Sequence, residues 1–128
     1  MNKLVSPEIP YEEIDVEVRR LVRLLNLVPG IRTVSSCAGH MPEEEARVSF
    51  VAESQEAVGS LLRALPFVGW RGGIANNFPH TRNIYLNIYP WENGTTLYNL
   101  RISGAPFYVQ RELIGEVEAA LESYVSSR

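Results

Sequence analysis

Ile84-Tyr85-Leu86-Asn87-Ile88-Tyr89-Pro90-Trp91-Glu92-Asn93-Gly94-Thr95-Thr96-Leu97-Tyr98-Asn99-Leu100-Arg101-Ile102-Ser103 is the run that decides the fold. Ile84, Leu86 and Ile88 alternate with Tyr85, Asn87 and Tyr89, the period-two pattern of a half-buried strand. Asn93-Gly94 is a turn signal. Beyond it Tyr98, Leu100 and Ile102 alternate with Leu97, Asn99 and Arg101, so Thr95 to Ser103 reads as a second strand paired with the first in a hairpin.

Working outward, Gly104-Ala105-Pro106 leads into a helix whose Leu113, Ile114, Val117, Leu121 and Tyr124 form a core stripe. On the other side, Phe67 to Ala75 reads as an extended segment loosened by Gly69, Gly72 and Gly73, followed by a loop over Asn76 to His80. Before it, Ser54 is placed to cap a helix buried through Val58, Leu61, Leu62 and Leu65, which Pro66 ends. Arg47 to Glu53 is β-rich, with Val48 and Phe50 on one face and Ser49 and Val51 on the other. Pro42-Glu43-Glu44-Glu45 reads as a solvated turn.

The first helix is expected from near Tyr11, with Glu12, Glu13 and Asp15 in its first turns and a stripe of Ile14, Val18, Leu21, Leu25 and Val28. Pro29-Gly30 stops it. The predicted order is helix, strand, strand, helix, three strands, helix: an α+β fold with helices packed on a mixed, largely antiparallel sheet. No Gly-x-Gly-x-x-Gly follows a strand and no P-loop is present, so any nucleotide is held by other means.

With 128 residues, 45% of them hydrophobic, the chain suits one domain. Its net charge of −3 argues against charge-driven coating of nucleic acid. A single cysteine leaves no disulfide framework and fits a reducing compartment, so the cytoplasm is expected. No basic leader and no membrane-spanning run is read from the sequence, and no membrane partner is expected.

Function is expected at Thr33-Val34-Ser35-Ser36-Cys37-Ala38-Gly39-His40, where a buried strand ends in small residues that let a ligand approach the backbone. Cys37 reads either as an inert core thiol or as a nucleophile with His40 or His80 as its base. One cysteine and two histidines fall short of a tetrahedral set, so no metal is expected. The second unusual stretch is Gly69-Trp70-Arg71-Gly72-Gly73. The segment from Phe67 to Arg111 collects Arg71, Arg82, Arg101 and Arg111 with many aromatics, a composition that suits a nucleotide or an RNA loop as well as ordinary core filling.

Ser35-Ser36-Cys37-Ala38-Gly39-His40 resembles the Ser-Ser-Cys-Ser-Gly-Arg signature of the wybutosine-synthesising tRNA methyltransferases, and Gly69-Trp70-Arg71-Gly72-Gly73-Ile74 is similar to their Gly-Phe-Arg-x-Ser-Gly-Ile segment. The resemblance spans most of the chain after Gly30 and implies a small α+β fold that binds S-adenosylmethionine and methylates a guanosine in tRNA. The two stretches are expected to close over one pocket. Ser35, Ser36 and Gly39 would bind polar ligand atoms, with Trp70, Arg71, Gly73 and Arg101 completing the ligand site and Arg71 holding an anionic group. His40 and Cys37 are the catalytic candidates. The ligand is expected to be S-adenosylmethionine or a nucleotide, with RNA as a candidate substrate. The alternative is a non-catalytic domain that self-associates as a homodimer through its aromatic strands, Trp91 included.

Overall fold

The computed structural model describes residues 14–38, 45–65, 69–70, 82–104 and 106–127. In chain order they form α1 (Val16–Asn26), β1 (Ile31–Cys37), β2 (Ala46–Ala52), α2 (Gln55–Ala64), β3 (Gly69–Trp70), β4 (Arg82–Pro90), β5 (Thr96–Gly104) and α3 (Phe107–Ser126). The α+β class and the element order expected from the sequence are those of the structure. The sheet runs β1-β2-β5-β4-β3. Its four longer strands pair antiparallel, while the two-residue β3 adds parallel to the outside of β4.

The β4–β5 hairpin pairs from Arg82 with Gly104 to Pro90 with Thr96. A single 3₁₀ turn, Glu92–Gly94, closes it, with Asn93 at φ 55° and Gly94 at φ 78°, the left-handed region that asparagine and glycine tolerate.

All three helices lie on one face of the sheet. Val18, Leu21 and Leu25 of α1, Leu61 of α2, and Leu113, Val117 and Leu121 of α3 pack with Val48, Phe50, Leu86, Leu100 and Ile102 in one core. Phe50 and Tyr98, cross-strand partners on that face, stack with ring centroids 5.3 Å apart. Each fully buried aliphatic or aromatic side chain there contributes roughly 1.5–3 kcal/mol. On the surface of this layer, Arg20 of α1 reaches Glu118 and Glu122 of α3 at 3.3 and 2.6 Å, an exposed pairing that does more for orientation than for stability.

The first helix begins at Val16, later than its apolar stripe suggested, and Tyr11, Glu12 and Glu13 lie outside the described residues. Asp15 occupies the N-cap position without capping the helix. Its carboxylate instead accepts the Ala38 N–H at 2.9 Å, and Arg111 of α3 donates to the Ala38 carbonyl at 3.0 Å. Two helices thus fix the end of β1. Ser54 does cap α2, accepting from the Ala57 N–H. Gly30, at φ +83°, ends the α1–β1 turn where an added Cβ would stand 2.8 Å from the Ala57 Cβ.

Candidate functional site

Strand register sorts the chemistry-bearing side chains. Cross-strand partners share a face, so β2, β5 and β4 turn their apolar residues to the helices and a second set away from them. That second face carries Arg47, Ser49 and Val51 of β2, Leu97, Asn99, Arg101 and Ser103 of β5, and Tyr85, Asn87 and Tyr89 of β4. None of the described helices lies on it. It is nonetheless largely withdrawn from solvent: Ser49 is 2%, Asn87 3% and Asn99 4% exposed. Burying such groups is costly unless they are hydrogen-bonded.

They are bonded to one another. The Ser49 hydroxyl donates to Asn99 Oδ1, and Arg101 Nε donates to Asn87 Oδ1 at 2.6 Å. Arg101 Nη1 donates to Glu45 Oε1 at 3.1 Å and Nη2 reaches the Tyr89 hydroxyl at 3.5 Å, while the Tyr85 hydroxyl donates to the second Glu45 oxygen. Glu45 and Arg101 keep about a quarter of their side-chain surface in contact with solvent, at 27% and 25%. The result is a polar floor beneath an accessible ion pair.

Electrostatics follow from that placement. Burial, and then the hydrogen bond to the Glu45 carboxylate and its charge, push the Tyr85 phenol well above its ordinary value, so it stays a donor. Burial alone would lower the Arg101 guanidinium, but its bonds to Tyr89 and Glu45 outweigh that and the net shift is upward. At the hairpin end of the sheet, Tyr89, Trp91 and Thr95 line a groove together with Gly94 and with Ile88, Pro90 and Thr96, whose register is that of the helix side, so both faces of the hairpin contribute to it. The Trp91 indole N–H is buried there with no hydrogen-bond partner among the described residues.

The residues singled out in the sequence distribute unevenly over this frame. Ser35 pairs with Ser49 and Cys37 with Arg47, so both stand on the second face at its β1 edge; Ser35 is exposed and Cys37 half-buried. Ser36, after a register shift between Thr33 and Ser35, pairs with Val48 and joins the helix side. Arg101 sits mid-sheet, at the centre of the network. Trp70 belongs to β3, the opposite edge strand, paired in backbone register with Leu86. Gly39, His40, Arg71 and Gly73 lie outside the described residues.

The expected pocket draws on residues 35–40 and 70–73, of which Gly39, His40, Arg71 and Gly73 lie outside the described residues; the strands that lead to it, β1 and β3, lie four strand spacings apart, about 19 Å. They end one continuous row, Cys37, Arg47, Arg101, Tyr85 and Gly69, with Arg101 at its middle.

Two further expectations change. Glu45, read as part of a solvated turn, is the half-buried partner of Arg101 and Tyr85; Pro42, Glu43 and Glu44 lie outside the described residues. Tyr85 and Tyr89, open to a core-filling reading, face away from the helix-side core. The signal for both was present. Polar members of the alternation fall in step on three strands, a coincidence seen only when the strands are aligned. Among the described residues no three histidine, cysteine, aspartate or glutamate side chains converge in a metal-binding group.

A family model described as YoqC prophage protein matches residues 2–71, more than half of the chain, and the chain belongs to that family. No curated protein and no solved structure gives a significant match. The family match runs through Ser35 to His40 and reaches Arg71, the residues that suggested a wybutosine-synthesising methyltransferase, and it overturns that resemblance.

Proposed function

We propose that this member of the YoqC prophage protein family binds a nucleotide, or a ligand of the same build, along the second face of the sheet. A flat heteroaromatic ring rests in the hairpin groove against Tyr89 and Trp91. The ligand's anionic group lies toward Arg101 and Arg47, above the buried Asn87 and Asn99. The observation that carries this reading is a pair of polar contacts, buried Ser49 with buried Asn99 and half-buried Arg101 with buried Asn87, on the face the described helices leave alone. An ordinary sheet of this size would fill such positions with apolar side chains, because a buried polar network stabilises only when completely paired. Aromatic rings, an unpaired indole donor and a guanidinium in one line supply stacking and charge pairing together.

Calorimetric titration with purine and pyrimidine mononucleotides, and with S-adenosylmethionine as an adenine-bearing ligand of different charge, tests the proposal. Binding that weakens by roughly tenfold in Tyr89→Ala, the loss of one base-stacking contact, is expected. Absence of binding at millimolar ligand, together with a dimer in sedimentation that Trp91→Glu dissolves, would instead favour the self-associating domain.

A further inference from the structure

Arg47 and Arg101 stand directly opposite each other across the β2–β5 ladder, on the same face. Like charges so placed repel, and an anion between them would reverse the sign of that interaction. Glu45 answers for Arg101 only: one of its oxygens accepts from Nη1 and the other from the Tyr85 hydroxyl. Arg47, half-buried, forms no ion pair among the described residues. Ser103 lies two residues along β5 from Arg101 on that face, and its hydroxyl is buried with no hydrogen-bond partner among the described residues. Continuing the β2–β5 register by one residue from Ala46 and Ile102 sets Glu45 opposite Ser103. Two guanidiniums, an unpaired hydroxyl and one carboxylate therefore occupy the four corners of a single patch.

We infer that Arg47, Arg101 and Ser103 form a site for a phosphate-class oxyanion, and that Glu45 is its built-in stand-in, a carboxylate of the chain holding the place that the ligand's anionic group takes. The inference rests on the proposed ligand-binding face and names the chemistry its charged end recognises. A tetrahedral dianion suits the patch better than a single carboxylate does, because it offers acceptor oxygens to both guanidinium forks and to the hydroxyl at once. An uncharged ligand would have no means of displacing Glu45.

The test is calorimetry with inorganic phosphate at constant ionic strength on the wild type, Glu45→Gln, Arg47→Gln and Ser103→Ala, with an unphosphorylated nucleoside titrated separately. Glu45→Gln keeps an acceptor for Tyr85 but removes the competing charge, so phosphate should bind it roughly tenfold more tightly; Arg47→Gln should bind roughly tenfold more weakly, the scale of one charge-assisted hydrogen bond. Ser103→Ala should weaken binding several-fold. Circular dichroism melts identify any variant that fails to fold, and competition between phosphate and chloride on the wild type gives a result that depends on no variant. No phosphate binding to the wild type, or unchanged affinity in folded Glu45→Gln or Arg47→Gln, would overturn the inference. Nucleoside binding without phosphate binding removes this inference and leaves the nucleotide-face proposal standing. Phosphate binding with no contribution from the nucleoside does the reverse.

Discussion

At the scale of single residues, Tyr85 connects the site to stability. Its raised folded-state ionisation means the native protein holds a proton that the unfolded chain releases near pH 10, the ordinary phenol value. The stability tied to the protonated phenol, through its burial first and its bond to Glu45 second, is therefore fully present below that pH and is lost as the pH rises above it. Alkaline unfolding should show this: wild-type stability should fall more steeply above about pH 10 than that of Tyr85→Phe, and the ultraviolet titration of the wild type should contain a phenol ionising above the ordinary range that Tyr85→Phe lacks. A pair of parallel stability curves would contradict the assignment. Residue roles of this kind were only partly legible in the sequence. Arg101 could be picked out as a charge among aromatics, but Glu45 could not be told from Glu43 and Glu44, since what distinguishes it is the register that brings it beside Arg101.

Among the elements, β1 and the end of β5 are the most exacting. β1 is an edge strand, and such edges invite pairing with other chains unless blocked. Here α1 blocks it: Asn26 Oδ1 accepts the Thr33 N–H at 2.9 Å and its Nδ2 donates to Thr33 Oγ1 at 2.9 Å, while the Ile31 N–H bonds to the Val28 carbonyl. Thr33 is 2% exposed, so Asn26→Ala strands buried polar groups and should cost about 1–3 kcal/mol in a denaturant melt. Gly104 sits where β5 meets α3, and a Cβ there would fall 2.6 Å from the Gln110 backbone nitrogen and 2.8 Å from Val109 Cγ1. Backbone cannot yield as a flexible side chain does, so Gly104→Ala should destabilise by about 1–3 kcal/mol in the same measurement. Most elements were readable because alternation and helical spacing survive in isolation: the faces of β2, β4 and β5, the Ser54 cap and the α3 stripe all stand as their residues predict. Where α1 begins was not, because Asp15 looks like any first-turn acid until Ala38 arrives from beyond the next turn.

For the whole molecule, the two faces of the sheet differ in kind. One is sealed by helices with aliphatic side chains. The other gathers serine, asparagine, tyrosine and arginine from three strands into a bonded array whose charged rim meets solvent. The class of the fold followed from local patterns, but the array did not, since it exists only in the order β1-β2-β5-β4-β3, which no single stretch encodes. That order also sets residues 35–37 and Gly69–Trp70, the described parts of the two small-residue stretches, on opposite edge strands with Arg101 between them.

The most direct measurement is a nuclear magnetic resonance titration of the isotopically labelled protein with a purine mononucleotide, following every backbone and asparagine side-chain amide. Shifts are expected to concentrate at Ser49, Asn87, Asn99, Arg101 and the Tyr89–Trp91 groove, with Val18, Leu113 and Leu121 on the helix side unmoved. Shifts confined to the helices, or none at millimolar nucleotide, would contradict the proposed nucleotide-binding face.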